Sequence, residues 1–382
     1  MMSFLFHQQV PIDFGAGHLD KLPELIAQFG YTKGLLITTN SAIQNGTVAR
    51  IIDTSNGVIT QSISGIQPNP TVENTQHCID ALRADTYDFV VALGGGSVLD
   101  CAKVAAVLAP TNASAQQFFD GDYAITAPGV PLIAVPTTAG TASEITRVSV
   151  LSDPNSGKKA PFNHPYLYPV YALIDPLLTI SCTEHVTATS GIDVLAHSLE
   201  ALYSKNHQPF TDLFAKHAAS IVFTYLETAY HEPNHLEART KMAEASVAAG
   251  LAFNLTQTAA AHACSYPLTE QFDVPHGEAC AFTLGKFWLL TAQSEEAGER
   301  IEAISRDLGF RDAAHLAERL EQLKDALQLR STWHEIGVTT DEQIQEIVVT
   351  SFAPNMANMP VTITPESLFA FYKSIAYERQ TV

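Results

Sequence analysis

The chain has 382 residues, enough for two domains that each bury a core of their own. Hydrophobic residues make up 46% and charged residues 16%, against a usual charged share of about 25%, which excludes a disordered chain or a coiled coil. Acidic residues outnumber basic ones 40 to 21, a formal charge of -19, so neither nucleic acid nor an anionic membrane surface is an expected partner.

The opening, MMSFLFHQQVPIDFG, has no basic segment ahead of an apolar one, and no run approaches the ~20 apolar residues of a membrane helix. From there, short β-branched runs alternate with helical stretches. GLLITT (34–39) reads as a strand, NTQHCIDALRA (74–84) as a helix and YDFVVAL (87–93) as a strand. SVLDCAKVAAVLA (97–109) reads as a helix, and VPLIAVP (130–136) and VYALIDP (170–176) as strands. This alternation predicts an α/β domain with a mostly parallel sheet over residues 1–178. After Asp175-Pro176 the strand-like runs largely vanish. SGIDVLAHSLEALYS, FTDLFAKHAASIVFTYLETAY and RDAAHLAERLEQLKDALQL carry helical periodicity, which predicts an all-α domain over 179–382. The five cysteines, Cys78, Cys101, Cys182, Cys264 and Cys280, form no C-x-x-C pair, which fits a reduced, cytoplasmic setting.

Two loops have the composition of a phosphate cradle. Gly94-Gly95-Gly96-Ser97 joins a strand to a helix, where glycines let a ligand approach and the helix N-terminus attracts an anion. Ser97 and Asp100 have capping-box spacing, and the G-x-G-x-x-G fingerprint is absent, so a plain capped turn is the competing reading. PTTAGTASE (136–144) follows another strand and is dense in hydroxyls. In the helical half, Asp193 and His197 stand four apart and share a helix face. His262 and His276 follow in apolar surroundings. A lone histidine in an apolar helix is more often a satisfied core residue. Two beside a carboxylate–imidazole pair suit Fe(II) or Zn(II), with a coordination position left for substrate.

GGGSVLDCAK (94–103), PTTAGTASEITRVSVLSD (136–153), GIDVLAHSLEAL (191–202) and AHACSYPLTEQFDVPHGEACA (261–281) resemble, in order and spacing, the iron-containing (group III) alcohol dehydrogenases. The resemblance spans nearly the whole chain. It implies a Rossmann-like N-terminal domain and a helical C-terminal domain, the fold shared with dehydroquinate synthase, usually in a homodimer or larger homo-oligomer. The metal would be held by Asp193, His197, His262 and His276. Gly95, Gly96 and Ser97 would form the pyrophosphate loop, with Asp100, Thr137, Thr138 and Thr141 lining the rest of the NAD or NADP site and Lys159 beside the cofactor. The implied activity is hydride transfer between NAD(P)H and a small aldehyde or primary alcohol.

Three departures stand out. Ala142 replaces a usual glycine in GTASE. Thr39 ends its strand where NAD-preferring members carry a ribose-binding Asp, so the 2′-phosphate of NADP is not repelled. Tyr266 replaces a usual histidine, and a phenol with a pKa near 10 is a poorer proton shuttle than imidazole. Pro267 is expected to end its helix, leaving Tyr266 at the mouth of the site to shape the pocket. SYPLTEQFDVPHGEACAFTLGKF resembles the branch that contains phosphonoacetaldehyde reductases. Such an anionic substrate would need nearby cations, for which Arg147, Lys158 and His164 are the candidates. A generic short-chain primary-alcohol dehydrogenase is the alternative, and a dehydroquinate synthase-like lyase a remote one.

Overall fold

The structure is a computed structural model that describes residues 4–375. The chain divides into two compact units, with His7–Ser181 forming one and the residues on either side of it the other.

The first unit is built on strands β1 (Ile12–Phe14), β2 (Gly34–Thr38), β3 (Ile59–Ile63), β4 (Phe89–Gly94), β5 (Leu132–Pro136) and β8 (Tyr171–Ile174), paired wholly in parallel in the order β1-β8-β5-β4-β2-β3. Helices α1 (Leu22–Phe29), α2 (Asn40–Gln44), α3 (Thr47–Thr54), α4 (Val72–Arg83), α5 (Gly96–Leu108) and α6 (Ala115–Phe119) connect them. Strands β2, β4 and β5 are buried at every position, and apolar at all but Thr38, because both faces are covered. Alternate residues feed two cores. Leu35, Ile37, Val90, Ala92 and Ala134 pack with α4 and α5 on one face, and Leu36, Phe89, Val91, Leu93 and Ile133 pack with α1 and α3 on the other. From β2 the chain steps outward to β3, then returns to β4 on β2's other side, so the winding reverses between β2 and β4. In open α/β sheets a ligand crevice lies beyond the strand C-termini at such a reversal.

Strands β6 (Val148–Asp153) and β7 (Lys158–Asn163) form a separate antiparallel hairpin. The sequence carries no strand signal there, only the cations Arg147, Lys158, Lys159 and His164 after the hydroxyl-rich turn. Lys-Lys-Ala-Pro-Phe-Asn lacks apolar alternation because most of β7 is exposed or half-buried.

The second unit is helical. It comprises α7 (Glu184–Tyr203), α8 (Pro209–His231), α9 (Leu236–Thr256), α10 (Ala260–Phe272), α11 (His276–Ala292), α12 (Gly298–Asp307), α13 (Ala313–Ala326), α14 (Asp341–Thr350) and α15 (Pro365–Lys373). Residues 4–6, expected with the sheet, pack here instead, since Phe6 stacks on Phe214 and meets Phe210 edge-on, with ring centroids 5.7 Å apart in both pairs. Pro267 does not end α10, which runs on to Phe272. The stop is Asp273, in the left-handed conformation at φ +52°, and Pro275 then caps α11. All five cysteines are free, and among the described residues no helix is long and apolar enough to cross a membrane.

Candidate dinucleotide turn and metal centre

The reversal point of the sheet is where the phosphate-loop residues lie. Thr38 pairs with Leu93, which sets Thr39 beside Gly94, and the Gly94 carbonyl accepts a bond from the Thr137 N–H at 3.0 Å. Gly95 is the N-cap of α5 and offers no side-chain cap, so the amides of the first turn are not taken up by a capping side chain. The glycines are required by the second loop. A Cβ on Gly96 would lie 2.7 Å from Thr141 Oγ1, and one on Gly95 3.2 Å from Thr138. Thr138 and Thr141 therefore face the glycine turn, and a loop with Cβ atoms would fill this space. Ser97 sits half-buried on the first turn of α5.

The expected Ser97–Asp100 cap does not form. Both Asp100 oxygens are used inside the unit, accepting from Ser143 Oγ at 2.5 Å and the Val150 N–H at 2.8 Å. Asp100 thereby braces the hydroxyl-rich loop against the hairpin. Thr39 Oγ1 accepts from the Ala42 N–H and caps α2. Lys159 donates to Asn69 Oδ1 at 2.9 Å. Ala142 adopts φ +47°, ψ 29°, the left-handed region that an L side chain enters at a cost. A residue the sequence reading passed over, Lys103, is buried beneath the turn and donates to the Val148 carbonyl at 2.8 Å. Burial draws it down to about 8 despite the neighbouring Asp100 and Glu144.

The three proposed substrate cations differ in setting. Arg147 is half-buried just before β6, Lys158 is exposed at the start of β7, and His164 Nδ1 accepts from the Tyr166 N–H at 3.2 Å.

The metal candidates come together inside the helical unit. Asp193 and His197 project from the middle of α7, His262 from the first turn of α10 and His276 from the first residue of α11. Donor atoms of Asp193, His262 and His276 lie within 4.8 Å of one another. His197 adjoins this group without belonging to it. Its Nε2 is 3.1 Å from His262 Nε2, its Nδ1 3.7 Å from Asp193 Oδ2, and its ring stacks on Phe253 at 4.0 Å. Burial draws His197 down to about 4, which keeps it a neutral imidazole with a lone pair to donate. Burial pushes Asp193 upward, but His197, His262 and His276 hold it well below the usual carboxylate range.

These donors fit a cation. Asp193 Oδ1 and His197 Nδ1 are buried and have no hydrogen-bond partner, a costly state for a carboxylate oxygen unless a positive charge takes it. Glu200, one turn beyond His197, was not singled out from the sequence. Its fully buried carboxylate accepts from His262 Nδ1 at 2.6 Å and from the Ala259 N–H at 2.9 Å, which aims His262 Nε2 at the other donors. Cys280 was missed too, although it stands four residues after His276, as His197 does after Asp193. Tyr266 is half-buried with its ring parallel to His276, centroids 6.5 Å apart. Burial, with Cys280 and Glu200 nearby, pushes its phenol to about 12.

An open glycine turn on a parallel sheet and a cluster of metal-capable donors in a helical unit suit a metal-containing, dinucleotide-dependent oxidoreductase. The family model for iron-containing alcohol dehydrogenase matches residues 11–176, and that for the C-terminal part of the Fe-containing alcohol dehydrogenase family matches 187–376. Alcohol dehydrogenase 4 of Schizosaccharomyces pombe is 30% identical over 94% of this chain and 86% of its own. The 1,3-propanediol dehydrogenase of Klebsiella pneumoniae is 34% identical over 71% of each. Among solved structures, sulfoacetaldehyde reductase from Bifidobacterium kashiwanohense in complex with NAD+ superposes with a TM-score of 0.94 at 39% identity, covering 98% of this chain and 99% of that one. The chain belongs to the iron-containing alcohol dehydrogenase family, NAD-dependent oxidoreductases of small alcohols and aldehydes. The lyase alternative falls away with that assignment.

Proposed function

We propose that the protein is an NADH-dependent reductase of a short aldehyde that carries an anionic head, a sulfonate or a phosphonate. The observation that carries this reading is the likeness to a sulfoacetaldehyde reductase, at 39% identity over 98% of the chain. Asp193, His197, His262 and His276 hold the iron in this reading, and the first turn of α5 holds the pyrophosphate. The iron, when bound, supplies a positive charge that polarises the substrate oxygen. Glu200 keeps the His262 ring in position. Tyr266, protonated at any working pH, donates a hydrogen bond and shapes the pocket. Thr39 leaves NADPH usable. Arg147, Lys158 and His164 are the cations offered to the anionic head, of which the exposed Lys158 is the least enclosed. The protein works in the cytoplasm as a homo-oligomer, and light scattering on the purified protein would read the oligomer size directly.

The test is a substrate panel of sulfoacetaldehyde, phosphonoacetaldehyde and butyraldehyde with NADH and NADPH. A kcat/KM at least about tenfold higher for one anionic aldehyde is expected, since one satisfied charged contact is worth about 1.5–3 kcal/mol. Equal or better turnover of butyraldehyde would favour a generic short-chain alcohol dehydrogenase.

A further inference from the structure

A sulfur atom lies among the metal donors. Cys280 follows His276 by four residues on α11, so the two side chains leave the helix on one face. Its Sγ is 3.9 Å from His276 Nε2, and it completes the group whose donor atoms all fall within 4.8 Å of one another, with Asp193, His262 and His276. The side chain is fully buried. A buried cysteine ordinarily behaves as a small hydrophobe among other hydrophobes. Cys280 instead meets two imidazoles and a carboxylate, one of whose oxygens has no hydrogen-bond partner.

We propose that Cys280 is a further metal ligand, a thiolate that biases this centre toward zinc relative to a site built only from carboxylate and imidazole. The inference rests on the metal centre proposed above. On binding, the thiol releases its proton to solvent and a sulfur–metal bond forms, with no change of oxidation state. Thiolate is a soft donor that suits zinc, whereas carboxylate and water suit harder ions such as manganese. Two histidines, an aspartate and a cysteine make a mixed set that His197 can enlarge, since its Nε2 stands 3.1 Å from that of His262.

Cobalt(II) added to the metal-free protein tests this directly, because visible d–d bands report that the ion is bound and near-ultraviolet charge transfer reports a sulfur ligand. Both signals are expected in the wild type. Cys280→Ser and Cys280→Ala should lose the charge-transfer band and keep the visible ones, while Cys264→Ser keeps both. Zinc affinity should fall about tenfold in Cys280→Ser with manganese affinity unchanged. Stoichiometric cobalt in the wild type with visible bands and no charge transfer would overturn the role of Cys280 and leave the metal centre standing. No cobalt uptake, or uptake indifferent to His262→Ala, would overturn the metal centre and this inference with it. The wild-type spectrum decides between these outcomes whether or not a variant folds.

Discussion

Gly277 sets the distance between the helices that carry Asp193 and His276. A Cβ built on it would lie 2.0 Å from the Thr189 carbonyl oxygen and 2.7 Å from Asp193 Cβ. An ordinary contact is about 3.5 Å, so in Gly277→Ala α11 must move off α7 by more than about 1 Å. Neither neighbour can yield cheaply, since one is backbone and the other belongs to a metal candidate. Overpacking costs about 1–3 kcal/mol, and alanine's helix preference returns about 1 kcal/mol. The metal-free variant should therefore lose no more than about 2 kcal/mol, a fall of a few degrees in Tm. Metal sites tolerate only about 0.2 Å of displacement, so iron affinity should drop by at least about tenfold. Metal content after dialysis against graded chelator, read beside calorimetry of the metal-free protein, separates the two effects. Wild-type metal retention in Gly277→Ala would refute the reasoning, and so would collapse of the metal-free fold.

Glu200→Gln should lower metal affinity by about 10- to 100-fold by loosening His262, and a metal titration matching wild type would remove that role from Glu200. Ala142→Gly should raise Tm. Relief of the left-handed alanine is worth about 1–2 kcal/mol, and the freer unfolded chain takes back about 0.4–1 kcal/mol, so a lower Tm by calorimetry would show that the methyl group packs better than its backbone suffers. Thr39→Asp keeps a good cap for α2 and should cut kcat/KM for NADPH at least about tenfold while sparing NADH; equal loss with both cofactors would sink the idea. Tyr266→Phe should cost about tenfold or less in turnover, one ordinary hydrogen bond, and a loss of several hundredfold would mean that the hydroxyl moves the proton.

Strands buried on both faces announce themselves, because nearly every residue must be apolar. GLLITT, YDFVVAL and VPLIAVP accordingly became β2, β4 and β5 with ends within two residues of the reading. Ile-Thr-Gln-Ser-Ile, on the edge strand β3, gave no such signal, and neither did β7, since a strand with solvent on one side keeps polar residues. Proline misled in α10, where tertiary packing carried the helix past Pro267, while the true stop at Asp273 depends on a positive φ that aspartate adopts rarely and the sequence does not display. The metal candidates were visible as an i, i+4 pair plus two histidines. Applying the same register rule forward from His276 would have found Cys280, and one more turn along α7 would have found Glu200. The Ser97–Asp100 cap failed for a different reason. The spacing suited a cap, but the partners of Asp100, Ser143 and Val150, are 43 and 50 residues away, beyond any local pattern.

The donors of the proposed metal centre come from three helices, and Asp193 and His276 bracket a stretch of roughly 80 residues that includes all of α8 and α9. An ion joining them closes that loop much as a disulfide would, a restriction of the unfolded chain worth about 4 kcal/mol by loop entropy alone. The donors Asp193, His197 and His262 are each 5% exposed or less, whereas His276 is half-buried, so an ion held there meets substrate and chelator on the His276 side. Removing it reopens the loop, and the helical unit of the metal-free protein should then unfold more readily than that of the loaded one.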